Sequence, residues 1–92
     1  MEVGISIRKK DTWAFVVTVS SLVQTTHTVT LSPQLLKNLT HGNASPEDLV
    51  RMSFEFLLQR ESNTSILHEF DLSMISGYFP EYASTIRERF SA

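Results

Sequence analysis

The strongest helical periodicity in this sequence lies between Ser45 and Glu61. At roughly 100° per residue its apolar side chains cover about two thirds of the helix circumference. They are Leu49, Val50, Met52, Phe54, Phe56, Leu57 and Leu58. Ser45 is a favourable N-cap, Pro46 suits the first helical position and Asp48 occupies a capping-box position. Because so little of its surface is polar, we predict a central helix over residues 46–60 with a sheet on one side and other helices on the other.

Three stretches before this helix alternate apolar and polar residues with the period of two that is typical of half-buried strands. They cover residues 3–8, 13–19 and 26–31. The polar turn around Lys10 joins the first two, and the less regular segment 20–25 joins the second to the third. Short connections of this kind predict a three-stranded antiparallel meander whose middle strand is central and whose outer strands have exposed edges.

Helical signals occupy the remainder of the chain. Ser32 and Pro33 begin a short helix that ends near Gly42, the expected left-handed C-cap. A helical turn is predicted over residues 66–70, a short helix capped by Asp71 follows, and Pro80 introduces a bend before a last helix. The fold class is therefore α+β: one domain over residues 1–92, with the sheet in residues 3–31 and about four helices in residues 33–90 covering one of its faces.

Length and composition are those of one ordinary globular domain. The chain has 92 residues, 41% of them hydrophobic and 20% charged. It contains no cysteine, which excludes disulfides, thiolate nucleophiles and iron–sulfur clusters. The first residues lack the layout of a signal peptide, and no apolar run approaches the ~18–20 residues of a membrane span. We therefore expect a soluble, cytoplasmic protein with no membrane partner.

Charge is distributed unevenly along the chain. The net charge is −2, with +2 in residues 1–44 and −4 in residues 45–92. This asymmetry indicates complementary surfaces and makes a homodimer a natural expectation. It disfavours general nucleic-acid binding, which needs a strongly basic face.

Three segments resemble a family of small prokaryotic single-domain proteins of unassigned function. They are HTVTLSP (27–33), SPEDLVRMSFEFLLQRE (45–61) and SILHEFDLSMISGYFPEY (65–82). These motifs concern the fold and not the chemistry, so the resemblance implies no catalytic or binding residues. A meander followed by a capped helix is also similar to HicB-type antitoxins. The additional helix over residues 32–40 interrupts that pattern, and no separate DNA-binding segment follows it.

Residues that could carry catalysis or bind metal form no recognisable pattern. The three histidines, His27, His41 and His68, are not spaced as metal ligands, and His27 shares a predicted strand face with Val29. No nucleophile elbow and no glycine-rich phosphate loop occurs. Several serines are explained as helix caps. We therefore expect no enzymatic activity, no cofactor and no bound metal.

Two stretches are candidates for binding another macromolecule. Aromatic residues surround the bend at Pro80, and among them Tyr78 and Tyr82 have hydroxyls suited to the rim of a protein-binding surface. The alternative for Tyr82 is packing against the central helix. We expect a protein-binding domain whose interaction surface combines these tyrosines with the exposed edges of the sheet. The alternative function is a nucleic-acid-associated or antitoxin-like regulator that uses Arg8, Lys9 and Lys10 in the first hairpin.

Overall fold

A computed structural model describes residues 3–90 and shows an α+β fold. In chain order the elements are β1 (Gly4–Asp11), β2 (Ala14–Ser20), β3 (Thr25–Thr30), α1 (Pro33–Thr40), α2 (Pro46–Leu58), β4 (Glu69–Asp71), α3 (Ile75–Tyr78) and α4 (Tyr82–Phe90). Short 3₁₀ turns cover Asn63–Ser65 and Leu72–Met74. No helix within the described residues has the length and apolar character needed to cross a membrane.

The sheet has four strands in the order β1-β2-β3-β4, so the prediction of a three-stranded meander is incomplete. The first three strands pair antiparallel as expected, and β4 pairs parallel with β3 through Val29 and Phe70. The sequence predicted a helical turn over residues 66–70, because a three-residue strand is too short to show a period of two. Tertiary pairing decides its conformation: the Thr30 hydroxyl donates to Asp71 Oδ1 at 2.6 Å. The second sheet edge is consequently β4 and not β3.

One face of the sheet is buried and the other faces solvent. On β2 and β3 the buried positions alternate along the strands: Phe15, Val17, Val19, His27 and Val29. The intervening positions, largely threonine with Ala14 and Val16, are exposed or half-buried. The ring of Phe54 on α2 lies 5.4 Å from the ring of His27 and 6.0 Å from that of Phe70. Helix α2 therefore packs on the buried face, which is the side that the strand alternation predicts.

Helix α2 begins as the sequence predicts. The Ser45 side chain accepts from the Asp48 backbone N–H, and Asp48 Oδ2 accepts from the Ser45 N–H, both at 3.2 Å, which completes a capping box. The helix ends at Leu58, two residues before the predicted end at 60. Arg51, on the polar side of α2, donates from Nη1 to the Ile5 carbonyl oxygen at 3.3 Å. It thereby covers part of the open β1 edge, which would otherwise present free backbone acceptors.

The last helix packs against the first. Tyr82 and Ile86 of α4 are fully buried, and Arg87 Nε donates to the Asn38 carbonyl oxygen of α1 at 3.1 Å. Helix α1 ends one residue earlier than the glycine signal suggests: His41 is the C-cap, with a left-handed φ of 55°. Gly42 follows it with a φ of 77°.

Candidate functional site

A groove lies between the end of α2, the segment that leads into β4, and α3. Its volume is about 290 Å³. Its lining residues are Leu57, Glu61, Ser65, Ile66, Leu67, Phe70, Met74, Ile75, Tyr78 and Phe79. Seven of these ten are aliphatic, methionine or phenylalanine, so the groove offers an apolar floor with few polar groups.

Three short elements shape the groove: helix α3, a 3₁₀ turn and strand β4. Helix α3 has only four residues, because Phe79 adopts an extended conformation before Pro80. Phe79 then turns back and packs edge-on against Phe56 of α2, with ring centroids 5.9 Å apart. On the opposite wall the chain leaves a 3₁₀ turn at Ser65 and passes through three residues, 66–68, before the three-residue strand β4 begins. None of these short elements is long enough to cover the end of α2, which leaves the groove open.

Exposed apolar side chains are concentrated at this groove. Six large hydrophobic residues are classed as exposed among those described: Val3, Leu22, Val23, Leu67, Met74 and Tyr78. Leu67, Met74 and Tyr78, with exposed fractions of 48%, 43% and 67%, all line the groove. The other three lie at the start of β1 and in the β2–β3 connection. Single exposed hydrophobics are ordinary, but a group of them around a concavity is typical of a binding site.

Glu61 is the only carboxylate among the lining residues, and no lysine or arginine lines the groove. The neighbouring Arg60 is occupied elsewhere. Its Nε donates to Glu81 Oε2 at 3.1 Å, and its Nη1 donates to the Phe56 carbonyl oxygen at 3.1 Å. Its guanidinium carbon also lies 3.6 Å from the centroid of the Phe56 ring. The charge that faces the groove is therefore negative.

The two predicted partner-binding tyrosines have opposite positions. Tyr78 is on the groove wall and exposed, whereas Tyr82 has no exposed surface. The Tyr82 hydroxyl lies 2.6 Å from Ser53 Oγ, and burial raises the pKa of this phenol to about 12. A side chain without exposed surface cannot contact a partner of the folded domain. The prediction for Tyr82 as a partner-binding residue is therefore wrong, and the packing alternative describes it.

A buried polar network supports one wall of the groove, and sequence reasoning missed it. His27, which we expected to share a face with apolar strand residues, is fully buried and lies under the loop that contains Leu67. Its Nδ1 is 2.7 Å from the Leu67 carbonyl oxygen, and its Nε2 is 2.8 Å from Thr25 Oγ1. Asn63, also buried, donates from Nδ2 to Thr25 Oγ1 at 2.8 Å and to the Val23 carbonyl oxygen at 2.7 Å.

The donor directions in this network follow from chemistry. A carbonyl oxygen only accepts, so Nδ1 of His27 carries the proton and donates to Leu67. In the neutral ring Nε2 then accepts from the Thr25 hydroxyl, which itself accepts from Asn63. Burial lowers the pKa of His27, and the nearby His68, stacked at 5.8 Å, adds to that lowering. Both ring nitrogens are occupied, so His27 acts as a structural support for Leu67 and has no free lone pair for a ligand.

The other candidate residues do not converge on a chemical site. Arg8 points to the open sheet face, Lys9 lies on the opposite face beside Trp13 and Glu47, and Lys10 falls in the irregular step of the β1–β2 register. These cations do not share one surface. In residues 3–90 no three His, Asp or Glu side chains are grouped as a metal site would require.

Comparisons with known proteins identify no relative: no protein-family model, curated protein or solved structure matches the chain. The resemblance to small prokaryotic single-domain proteins therefore stays a prediction.

Proposed function

We propose that this chain is a protein-binding domain and that the groove receives one or two bulky apolar side chains of its partner. One observation carries this proposal: three of the six exposed large hydrophobic residues among those described line the same concavity. Water in contact with these side chains would be released on binding, which is the main favourable term in protein association.

The size of the groove favours side-chain anchors over a small-molecule substrate. Its volume of 290 Å³ lies just below the roughly 300–1,000 Å³ of pockets that bury a drug-sized ligand. Its lining provides one carboxylate, one serine and one tyrosine hydroxyl, which do not include a base paired with a nucleophile. Tyrosine, the residue at position 78 on the groove wall, is enriched among the residues that dominate binding energy at protein interfaces.

The alternative of a nucleic-acid-associated regulator has weaker support. Its three cations, Arg8, Lys9 and Lys10, are all exposed, but they point in different directions from one hairpin. Phosphate binding needs several cations aligned along one surface. This alternative predicts retardation of DNA or RNA at low salt that disappears in Lys9→Glu/Lys10→Glu.

Site-specific photocrosslinking in the cells that produce the protein tests the proposal. A benzophenone-bearing phenylalanine analogue replaces Tyr78, which is 67% exposed and tolerates a larger ring. The matched control has the same analogue at Leu22, which is 82% exposed and does not line the groove.

We expect a discrete protein adduct from position 78 and none from position 22. Adducts from position 22 alone, or from neither position, contradict the groove as the binding surface. Circular dichroism of both variants checks that each is folded.

A further inference from the structure

The geometry points to a basic partner: we infer that the groove binds a peptide segment in which a lysine or arginine neighbours a bulky apolar anchor. This inference rests on the proposed function of the groove and adds the chemistry of what enters it.

Glu61 places a carboxylate on the wall of the groove, where a bound partner would contact it. Its backbone N–H donates to the Leu57 carbonyl oxygen at 2.9 Å, so Glu61 follows Leu57 by one helical turn and lines the groove with it. Its side chain is half-buried, and it has no hydrogen bond or ion pair with any other residue in the range 3–90. The adjacent Arg60, its nearest cation in sequence, is paired with Glu81 instead.

Covering the groove would remove water from this carboxylate. A half-buried charge that loses its remaining water without gaining a partner carries the desolvation penalty of an unpaired ion. A purely apolar partner would incur that cost, and an acidic partner would add repulsion to it. A partner with a lysine or arginine beside its apolar anchor avoids the cost, because the cation pairs with Glu61 as the groove closes over it.

The segment that forms the groove is acidic in sequence, and one of its acids lines the groove. The segment from Leu57 to Phe79, which supplies all ten lining residues, contains three acids and one basic residue. Those acids are Glu61, Glu69 and Asp71, and the basic residue is the already paired Arg60. Glu69 and Asp71 flank the groove residue Phe70 on β4, so their side chains lie on the other side of the sheet, and Glu61 is the carboxylate that a cation in the groove would meet.

A second copy of this chain fits the groove less well. Its exposed apolar loop contains Leu22 and Val23 but has no basic residue from position 20 to position 26. Its basic hairpin, residues 8–10, has no large apolar side chain classed as exposed. Neither surface combines the anchor with the cation, so the occupant we infer is a different protein.

Selection from a displayed library of random twelve-residue peptides tests the inference without a known partner. Each selected peptide is synthesised and its affinity is measured for the wild type, Tyr78→Ala, Glu61→Gln and Glu69→Gln. The last is the matched control, because Glu69 is an exposed acid in the same segment that does not line the groove.

We expect selected peptides to combine lysine or arginine with leucine, phenylalanine or tryptophan, and to lose binding in Tyr78→Ala. Glu61→Gln should weaken them by about threefold to tenfold, the range of a partly desolvated charge pair, with little change for Glu69→Gln. Peptides that need Tyr78 but are equally well bound by Glu61→Gln overturn the inference about charge and leave the proposed groove function intact.

Two other results also overturn the inference. One is a selection in which no peptide depends on Tyr78, because the groove then has no peptide-binding capacity of the kind inferred. The other is a dimer in native mass spectrometry that Tyr78→Ala dissociates, which would identify a second copy as the occupant. If no selected peptide depends on Tyr78, a photocrosslink from position 78 to another protein would still support the proposed function.

Discussion

Tyr78 and Tyr82 are four residues apart and belong to two regions with opposite roles. The region around Tyr82 is interior: its ring packs edge-on against Phe56 at 5.3 Å, and its hydroxyl is bound to Ser53. The region around Tyr78 is an open groove wall that has no such partner for the phenol among the described residues. The bend at Phe79 and Pro80 separates them, because it ends α3 at Tyr78 before α4 begins at Tyr82.

The comparison shows that residue type alone does not distinguish a tyrosine that packs in the interior from one that stays exposed on the surface. Both side chains are aromatic with a polar tip, and such side chains suit either a satisfied interior site or a rim. The difference is whether a neighbouring element supplies a hydrogen-bond partner for the hydroxyl. Helix α2 supplies one for Tyr82 in Ser53, whose own hydroxyl donates to the Leu49 carbonyl oxygen at 2.7 Å.

The largest expected effect is the loss of the interior tyrosine. Tyr82→Ala removes a fully buried ring and should lower the free energy of unfolding by about 3–5 kcal/mol, a large fraction of the stability of a domain of this size. Urea denaturation followed by circular dichroism measures it. A loss below about 1 kcal/mol would contradict the interior position of this ring.

A smaller effect is expected when only the hydroxyl is removed. Because the Ser53 hydroxyl donates to Leu49, the Tyr82 hydroxyl must be the donor to Ser53 Oγ. Tyr82→Phe leaves Ser53 with its own donation intact and should cost about 1 kcal/mol. Ser53→Ala and the double variant complete a cycle, and strictly additive costs would show that the two hydroxyls do not interact.

The buried histidine connects the interior to the groove, and its effect should appear as a pH dependence. Burial lowers the pKa of His27 below its ordinary value of 6.5, so near and below that pH the unfolded chain binds more protons than the folded one. Stability from this group is present above pH 6.5 and is lost as pH falls through 6.5 towards the lowered folded pKa. Urea unfolding at several pH values between 7.5 and 5.0 should show this decline.

Two variants assign the pH dependence to one ring. His27→Gln should remove most of the slope, whereas His68→Gln, at the exposed member of the stacked pair, should retain most of it. Asp71 adds a second pH dependence at lower pH. Because its pKa is lowered in the folded chain, the stability that it contributes is lost as pH falls below about 3.8, the ordinary pKa of this carboxyl. An unchanged slope in His27→Gln would exclude His27 as its source.

The smallest effect on stability is expected at the groove. Tyr78→Ala removes an exposed ring and should change the free energy of unfolding by no more than about 0.5 kcal/mol, while it abolishes binding of the selected peptides. The same urea experiment measures the first quantity. A loss above about 1.5 kcal/mol would show that Tyr78 supports the fold and would weaken its assignment as a partner-binding residue.

Local sequence signals were sufficient for most elements. The capping box at Ser45 and Asp48 predicted the start of α2. The alternation of apolar and polar residues predicted the three antiparallel strands and their buried face. Both signals depend only on neighbours within a few residues. The aromatic residues around the bend at Pro80 also indicated Tyr78 as a candidate partner-binding residue.

Tertiary contacts decided the rest. The strand β4 exists because β3 offers it hydrogen bonds from 40 residues away, as in the donation from the Thr28 N–H to the His68 carbonyl oxygen at 2.7 Å. The network of His27 and the separate positions of Tyr78 and Tyr82 likewise require partners distant in sequence. The sequence by itself determined the main helices, the first three strands and which strand face is buried. Only the packing of those segments decided where the sheet ends, which polar groups are satisfied inside, and where the surface remains open.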